Sequence, residues 1–434
     1  MNRSLYKDLL VWKANSNRKP MIIQGARQVG KTWLMKEFGK REFEKVAYLN
    51  FEGNAVLHKI FNSDFDSIKI IDAIGIIAGF KIDPNNTLLI FDEIQACPQA
   101  LTSLKYFHEN SPEYMILAAG SLLGVAIHQG VSFPVGKVDF LKLYPLTFEE
   151  FLASMNQMQL LDLLKGNDVQ LLTVFREKYI DLLRTYYYVG GMPEAVLDFS
   201  TNKDYQRVRE IQERIIIAYE NDFSKHAPIN QLPRIRLVWQ SIISQLAKEN
   251  SKFIYNLLRS GARAKDFELA IEWLKDAGLI HKVNRISKPA IPINSYADWA
   301  DFKIYLNDVG LMCAMSKLSA EIILKGDELF TEFKGILTEQ YVLQQIVSSA
   351  YQPYYWTVEN SKAEVDFVIQ KNDQIVPIEV KAAENLRSRS LHVYYDNYQP
   401  KHCIRTSLSD FKHQNWVTNI PLYGIKSWLT KELA

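Results

Sequence analysis

The sequence predicts an α/β fold that opens on a parallel sheet built around an anion-binding loop. Three observations predict it. Residues 25–32 read Gly-Ala-Arg-Gln-Val-Gly-Lys-Thr, a complete G-x-x-x-x-G-K-S/T phosphate loop. The loop stands between an apolar run, Met21-Ile22-Ile23-Gln24, and a helical stretch from Thr32 to Phe38 that is expected to stop at Gly39. Farther on, the apolar run Leu88–Phe91 ends in Asp92 and Glu93. Unbroken apolar runs of this kind suit central strands of a parallel sheet, buried on both faces.

Strand, glycine loop and helix start make an anion site, because loop N–H groups and the positive helix end face the phosphates. Gly25, Ala26, Arg27, Gln28, Val29, Gly30, Lys31, Thr32 and Trp33 form the expected nucleotide-binding set. In a catalytic role, Lys31 neutralises β/γ-phosphate charge; Thr32 ligates Mg²⁺. Asp92 falls at the carboxyl end of its strand, where open α/β sheets bind ligands, and is expected to hold Mg²⁺ through water beside Thr32. Glu93 is placed to polarise the attacking water as a general base. The expected ligands are therefore ATP and Mg²⁺. A further strand, Tyr114–Ala119, ends at Gly120-Ser121. Ser121 there could touch the γ-phosphate or the lytic water; a plain Gly-Ser turn is the other reading.

The chain has 434 residues, 47% apolar and 23% charged, with a net charge of +2. That is ordinary globular composition with room for several domains, and any basic surface must be local. Cys97, Cys313 and Cys403 are far apart, so neither a zinc site nor a disulfide framework is expected. Lys7 and Asp8 interrupt any signal-peptide pattern, and Leu5–Trp12 reads as an amphipathic helix. Ile70–Phe80 is the longest apolar stretch, too short for a bilayer and broken by Asp72 and two glycines. No membrane contact is expected, and a reducing cytoplasm is the simplest address.

Four segments are expected: a phosphate-loop core over 1–152, a helical lid or linker over 153–228, a winged-helix-like module over 229–320, and a second α/β domain over 321–434. The core closes with a strand from Val138 and a helix after Pro145, where Thr147 and Glu150 make a capping box. Gly190-Gly191-Met192-Pro193 breaks the lid helices as a turn. Asp204–Asn221 carries Arg207, Arg209 and Arg214, read as a solvated helix face rather than a nucleic-acid stripe. In the third segment Leu237–Ala247, Phe253–Leu258 and Lys265–Ala277 read as three helices, and Leu279–Val283 as the start of a wing strand. Arg259, Arg263 and Lys265 stand at the start of the third helix, which enters the major groove in helix-turn-helix proteins. Contact with DNA and a protein–protein spacer are the alternatives.

The last segment holds a second candidate site. Phe330–Ser349 reads as a helix with Glu339 on an otherwise apolar stripe, a place where a carboxylate must be paired, protonated or metal-bound. Ala363–Ile369 and Gln374–Lys381 read as a hairpin pivoting near 371–372, with Asp366 opposite Pro377 and diagonal to Glu379. Glu339, Asp366, Glu379 and Lys381 together make a PD-(D/E)xK pattern, in which the acids hold Mg²⁺ and the lysine, as a catalytic group, positions or activates water.

At this point the chain resembles a family: the predicted AAA+ ATPases of bacteria and archaea that carry a C-terminal domain of unknown function, similar in fold to restriction-type nucleases. The resemblance runs through Gly25–Thr32, Leu88–Gln95, Leu143–Phe151, Gly190–Pro193, Tyr219–Lys225, Lys303–Leu311 and Ala363–Lys381, nearly the whole length. It implies a P-loop NTPase (AAA+-like) parallel sheet, a helical lid, and a C-terminal restriction-endonuclease-like domain. It also implies an Arg-Gln pair in the loop, matched by Arg27 and Gln28, a sensor role for Ser121, and assembly of copies into rings or dimers. Family members often carry Gly-Arg before the Pro-Leu-Ser/Thr-Phe segment; here the pair is Gly136-Lys137. Three functions follow: an ATPase coupled to a DNA-contacting half, an ATP-dependent nuclease cutting with Asp366, Glu379 and Lys381, or a nucleotide switch that assembles with a protein partner.

Overall fold

The computed structural model describes residues 2–432 apart from 64–65, 121–122, 124–133, 167, 249–251, 326–330, 359–362 and 385–386. The chain divides into two compact units, residues 2–144 with 276–279, and residues 145–275 with 280–434. The expected boundaries near 228 and 320 therefore fall inside one unit.

The first unit is a five-stranded parallel sheet: β1 (Met21–Gln24), β2 (Lys45–Asn50), β3 (Thr87–Asp92), β4 (Met115–Gly120) and β5 (Asp139–Lys142), in the order β2-β3-β4-β1-β5. Because every pairing is parallel, all carboxyl ends lie along one edge. Register sets Gln24 beside Gly120 and Lys142, and Asp92 beside Asn50 and Ala119. β3 is buried from Thr87 to Asp92, as its apolar run requires. Phe51, Phe61, Phe91 and Phe107 pack edge to face beside it, with centroids 5.2–6.0 Å apart.

The helix after the loop runs Lys31–Glu42, past the expected stop at Gly39. A Cβ on Gly39 would lie 2.7 Å from Val46 Cγ2. This glycine lets a helix lie close on β2, and no cap is involved. Ile70–Phe80, the longest apolar stretch, contributes to the helix Ser67–Ala78, which Asp66 caps by accepting from Ile68 N at 3.0 Å.

The second unit holds helices and one eight-stranded mixed sheet. Its strands are β6 (Ile280–Ile286), β7 (Ala297–Leu306), β8 (Tyr354–Thr357), β9 (Glu364–Lys371), β10 (Gln374–Val380), β11 (Ile404–Ser407), β12 (Lys412–His413) and β13 (Thr418–Pro421). The order is β12-β13-β11-β10-β9-β8-β6-β7. The stretch expected to begin a wing strand, Leu279–Val283, overlaps β6, which pairs with β7 and also joins β8 of the last segment. Helices Leu232–Leu246 and Ala264–Asp276 form, but Phe253–Leu258 holds only the 3₁₀ turn Tyr255–Leu257. The Gln245 amide bonds both backbone groups of Ile254, and Phe253 N donates to Phe302 O at 2.9 Å, so this segment is pinned extended. Arg207 pairs with Asp198, Arg214 with Glu194, and Arg209 donates to Leu318 O, so this arginine row is tied into the unit itself.

The Thr147–Glu150 capping box is present in full ahead of the helix Phe148–Ser154. The Gly190-Gly191 turn exists for Asp308, whose Oδ2 accepts from Gly191 N at 2.6 Å. Gly190 has φ 72°, and a Cβ there would fall 2.2 Å from Asp308 Oδ1. The β9–β10 hairpin turns at 372–373 and not at 371–372, because Lys371 pairs with Gln374 and Asn372 takes φ 56°. Pro377 accordingly faces Val368, and the ladder followed one step beyond Ile378–Phe367 brings Asp366 level with Glu379.

Candidate functional site

At the carboxyl edge of the first sheet, the loop after β1 turns through Gly25 (φ 155°), Gln28 (φ 66°) and Gly30 (φ 93°). A Cβ on Gly25 would lie 2.2 Å from Leu143 O, so only glycine lets the loop enter this close to the chain after β5. Ala26 and Val29 are buried and offer a ligand only their backbone, while Gln28 is exposed and Trp33 is 39% exposed. Arg3 pins the loop from behind, donating to Val29 O at 3.0 Å and to Tyr144 O at 2.5 Å. No side chain caps the helix that starts at Lys31, which leaves its first N–H groups to a ligand.

Lys31 is 7% exposed, and its ammonium donates to Gly25 O at 2.9 Å and Ala26 O at 2.8 Å. Burial lowers its pKa to about 8, against the pull of Glu93 and Asp92. Thr32 Oγ1 donates to Asp92 Oδ2 at 2.7 Å, and Tyr48 OH donates to the same oxygen at 2.9 Å. A hydroxyl and a carboxylate this close, beneath a glycine cradle with a lysine, fit the Mg²⁺ of a nucleoside triphosphate. Glu93 takes φ 51° directly after β3, and Gln95 Nε2 donates to Glu93 Oε2 at 2.5 Å. Ser121 lies outside the described residues. Lys137 pairs with Glu109 at 2.9 Å. Arg3, Tyr48 and Gln95 also contact the loop and the two acids, beyond the residues expected from sequence. Only Gln95 carried a local signal, two residues after the paired acids.

A second constellation lies in the other unit. Asp366 on β9 accepts from Val380 N at 2.6 Å, Glu379 on β10 pairs with Lys381 at 2.6 Å, and Tyr305 OH on β7 donates to Glu339 at 3.0 Å. Lys303 on β7, 1% exposed, pairs with Glu364. Burial, and then the Asp366 charge, raise Glu339 and Glu379 above the usual carboxylate range; burial does the same to Asp366. Burial alone would lower Lys303, but Glu364, Glu339 and Asp366 outweigh it and hold it charged. The four residues expected from sequence are thus brought together, and Lys303, Tyr305 and Glu364 join them. Among the described residues, no three His, Cys, Asp or Glu side chains converge at metal-ligand geometry. The acids are instead divided among Lys303, Tyr305, Lys381 and the Val380 N–H. Glu379 Oε2 is buried and accepts no hydrogen bond among the described residues.

Three family descriptions match the chain. Residues 17–152 match an AAA domain, 180–322 a domain of unknown function (DUF8612), and 334–423 a domain of unknown function (DUF4143). No curated protein matches. Solved structures with similarity include the Walker-type ATPase PABY2304 of Pyrococcus abyssi, 13% identical, covering 72% of this chain and 94% of that one, with TM-score 0.46. The ADP form of the Aeropyrum pernix ORC2 protein is 15% identical over 78% and 93%, with TM-score 0.32. The ORC1 protein of the same organism in complex with DNA is 12% identical over 72% and 90%, with TM-score 0.28. No helix among the described residues is long and apolar enough to cross a membrane.

Proposed function

We propose that residues 17–152, which match an AAA domain, hydrolyse ATP with Mg²⁺, and that the protein couples nucleotide state to a DNA-contacting second half. The observation that carries the ATPase site is the 2.7 Å bond from Thr32 to Asp92 beside a buried Lys31. Lys31 holds the β- and γ-phosphates, Thr32 and water-bridged Asp92 hold Mg²⁺, and Glu93 accepts the proton of the attacking water. Lys31→Ala should weaken ATP binding roughly ten- to a hundredfold, the worth of one charge-assisted contact. Glu93→Gln should leave binding intact and slow hydrolysis by about 10²-fold or more, since only the base is lost. Unaltered hydrolysis by Glu93→Gln would sink its assignment.

The orphan oxygen of Glu379 favours a second reading, a metal-dependent nuclease site. Asp366, Glu379 and Glu339 would hold the ion, and Lys381 would steady the water or the phosphorane charge. Plasmid nicking with Mg²⁺ or Mn²⁺, with and without ATP, tests it; activity lost in Asp366→Asn supports the reading, and intact plasmid throughout removes it.

A further inference from the structure

β3 ends at Asp92, and the chain leaves it through Glu93 in the left-handed region, φ 51° and ψ 44°, a conformation rarely taken by residues other than glycine, asparagine and aspartate. One 3₁₀ turn, Ile94–Ala96, follows and folds the Gln95 side chain back onto Glu93. The bond from Gln95 Nε2 to Glu93 Oε2 measures 2.5 Å. A carboxylate oxygen only accepts, so this contact fixes the amide: nitrogen faces Glu93 and Oε1 faces away. That Oε1 is buried and accepts no hydrogen bond among the described residues. It lies against Gly120 at the end of β4, where a Cβ would come within 2.2 Å of it. β4 runs between β3 and β1, and Gly120 is level with Gln24, the residue before the phosphate loop. A costly unpaired acceptor is therefore kept where the loop and the acids face each other, with glycine leaving room for it.

We propose that Gln95 is a positioning residue for the base: its amide nitrogen holds Glu93 towards the lytic water. This rests on the ATPase reading above. The water gives one proton to Glu93 as its oxygen bonds the γ-phosphorus. The bond from that phosphorus to the β–γ bridging oxygen breaks, and ADP leaves with the electron pair. Gln95 gains and loses no proton; it holds the base in place.

The test uses the full chain, with ATP turnover, affinity for a fluorescent ADP analogue, and thermal unfolding. Gln95→Ala should lower kcat roughly ten- to a hundredfold, with KM and analogue affinity within about twofold, because the aim of the base matters only on the way to the transition state. Its unfolding temperature should not drop, since an unpaired buried acceptor is removed. Gln95→Glu keeps the shape but replaces the donating amide with a second acid against Glu93, so it should be slowed as well. In a Glu93→Gln background, Gln95→Ala should cost less than about twofold more, as expected of groups acting as a unit. Native kcat in Gln95→Ala, a matching rise in KM, or fully additive losses would each overturn the assignment. Native turnover in Lys31→Ala would instead overturn the ATPase reading itself.

Discussion

Lys31 rests among carbonyl oxygens, and that sets its proton chemistry. Its ammonium donates to Gly25 O and Ala26 O, and burial brings its pKa to about 8 from an ordinary 10.5. The folded chain therefore prefers neutral lysine more than the unfolded chain does. Between about pH 8 and 10.5 the unfolded state binds the extra proton, so this residue's contribution to stability rises with pH across that window. Phosphate reverses the preference, because an adjacent polyanion favours the charged form. Binding of ADP or ATP near pH 8 should accordingly take up protons. Calorimetric titration in buffers of different ionisation heat measures the uptake; Lys31→Met should abolish it. Equal heats in all buffers for the native protein would mean that Lys31 does not meet the phosphates.

At the scale of elements, Gly39 tests the packing of the loop helix on β2. Alanine in place of a mid-helix glycine ordinarily stabilises by about 0.5–1 kcal/mol. Here its Cβ would press on Val46 Cγ2 at 2.7 Å and Leu88 Cδ2 at 3.2 Å. Overpacking costs about 1–3 kcal/mol, so Gly39→Ala should destabilise the first unit, read from denaturant unfolding. A stabilised variant would mean that the helix can move off the strand. At the helix Phe148–Ser154, Thr147→Ala should cost about 1 kcal/mol, because Thr147 Oγ1 takes the Glu150 N–H at 3.3 Å. These cases mark what was legible. The phosphate loop, β3 and the capping box are local patterns, and each stands where its sequence placed it. Gly39 read as a stop because sequence shows the missing side chain and not the strand it approaches. The hairpin turn was set two residues apart in register because Asn372 supplies the positive φ and the pairing of Lys371 with Gln374 is settled only by the ladder. Lys303 and Glu364 were invisible as a pair, 61 positions apart, because β7 and β9 join only through β6 and β8 of one sheet.

At the scale of the whole molecule, two ligands distinguish the readings. Arg263 and Lys265 are exposed at the start of the helix Ala264–Asp276. If that helix meets DNA, replacing both by alanine should weaken binding regardless of sequence and lower the salt slope by about two, near 0.9 per phosphate contact. No affinity of the native protein for any duplex at low salt removes DNA from the account. The metal question turns on charge. Glu339, Glu364, Asp366 and Glu379 face Lys303 and Lys381, so four acids meet two lysines. Burial and mutual repulsion hold the pKa of Glu339 and Glu379 above the ordinary carboxylate value. Protonation of these two therefore favours the folded state, and that contribution is lost as pH rises through their folded pKa values. A divalent ion requires the ionised forms, so its affinity should increase over the same rise, with proton release. Mn²⁺ titrated into nucleotide-free protein should give heat, more tightly at pH 8 than at pH 6, and should raise Tm by mass action. The effect should survive in Lys31→Ala, which separates it from the ion carried by ATP, and should vanish in Asp366→Asn. Absence of heat, with native and Asp366→Asn protein alike, would mean that Lys303 and Lys381 already satisfy these acids and that the second constellation is a structural one.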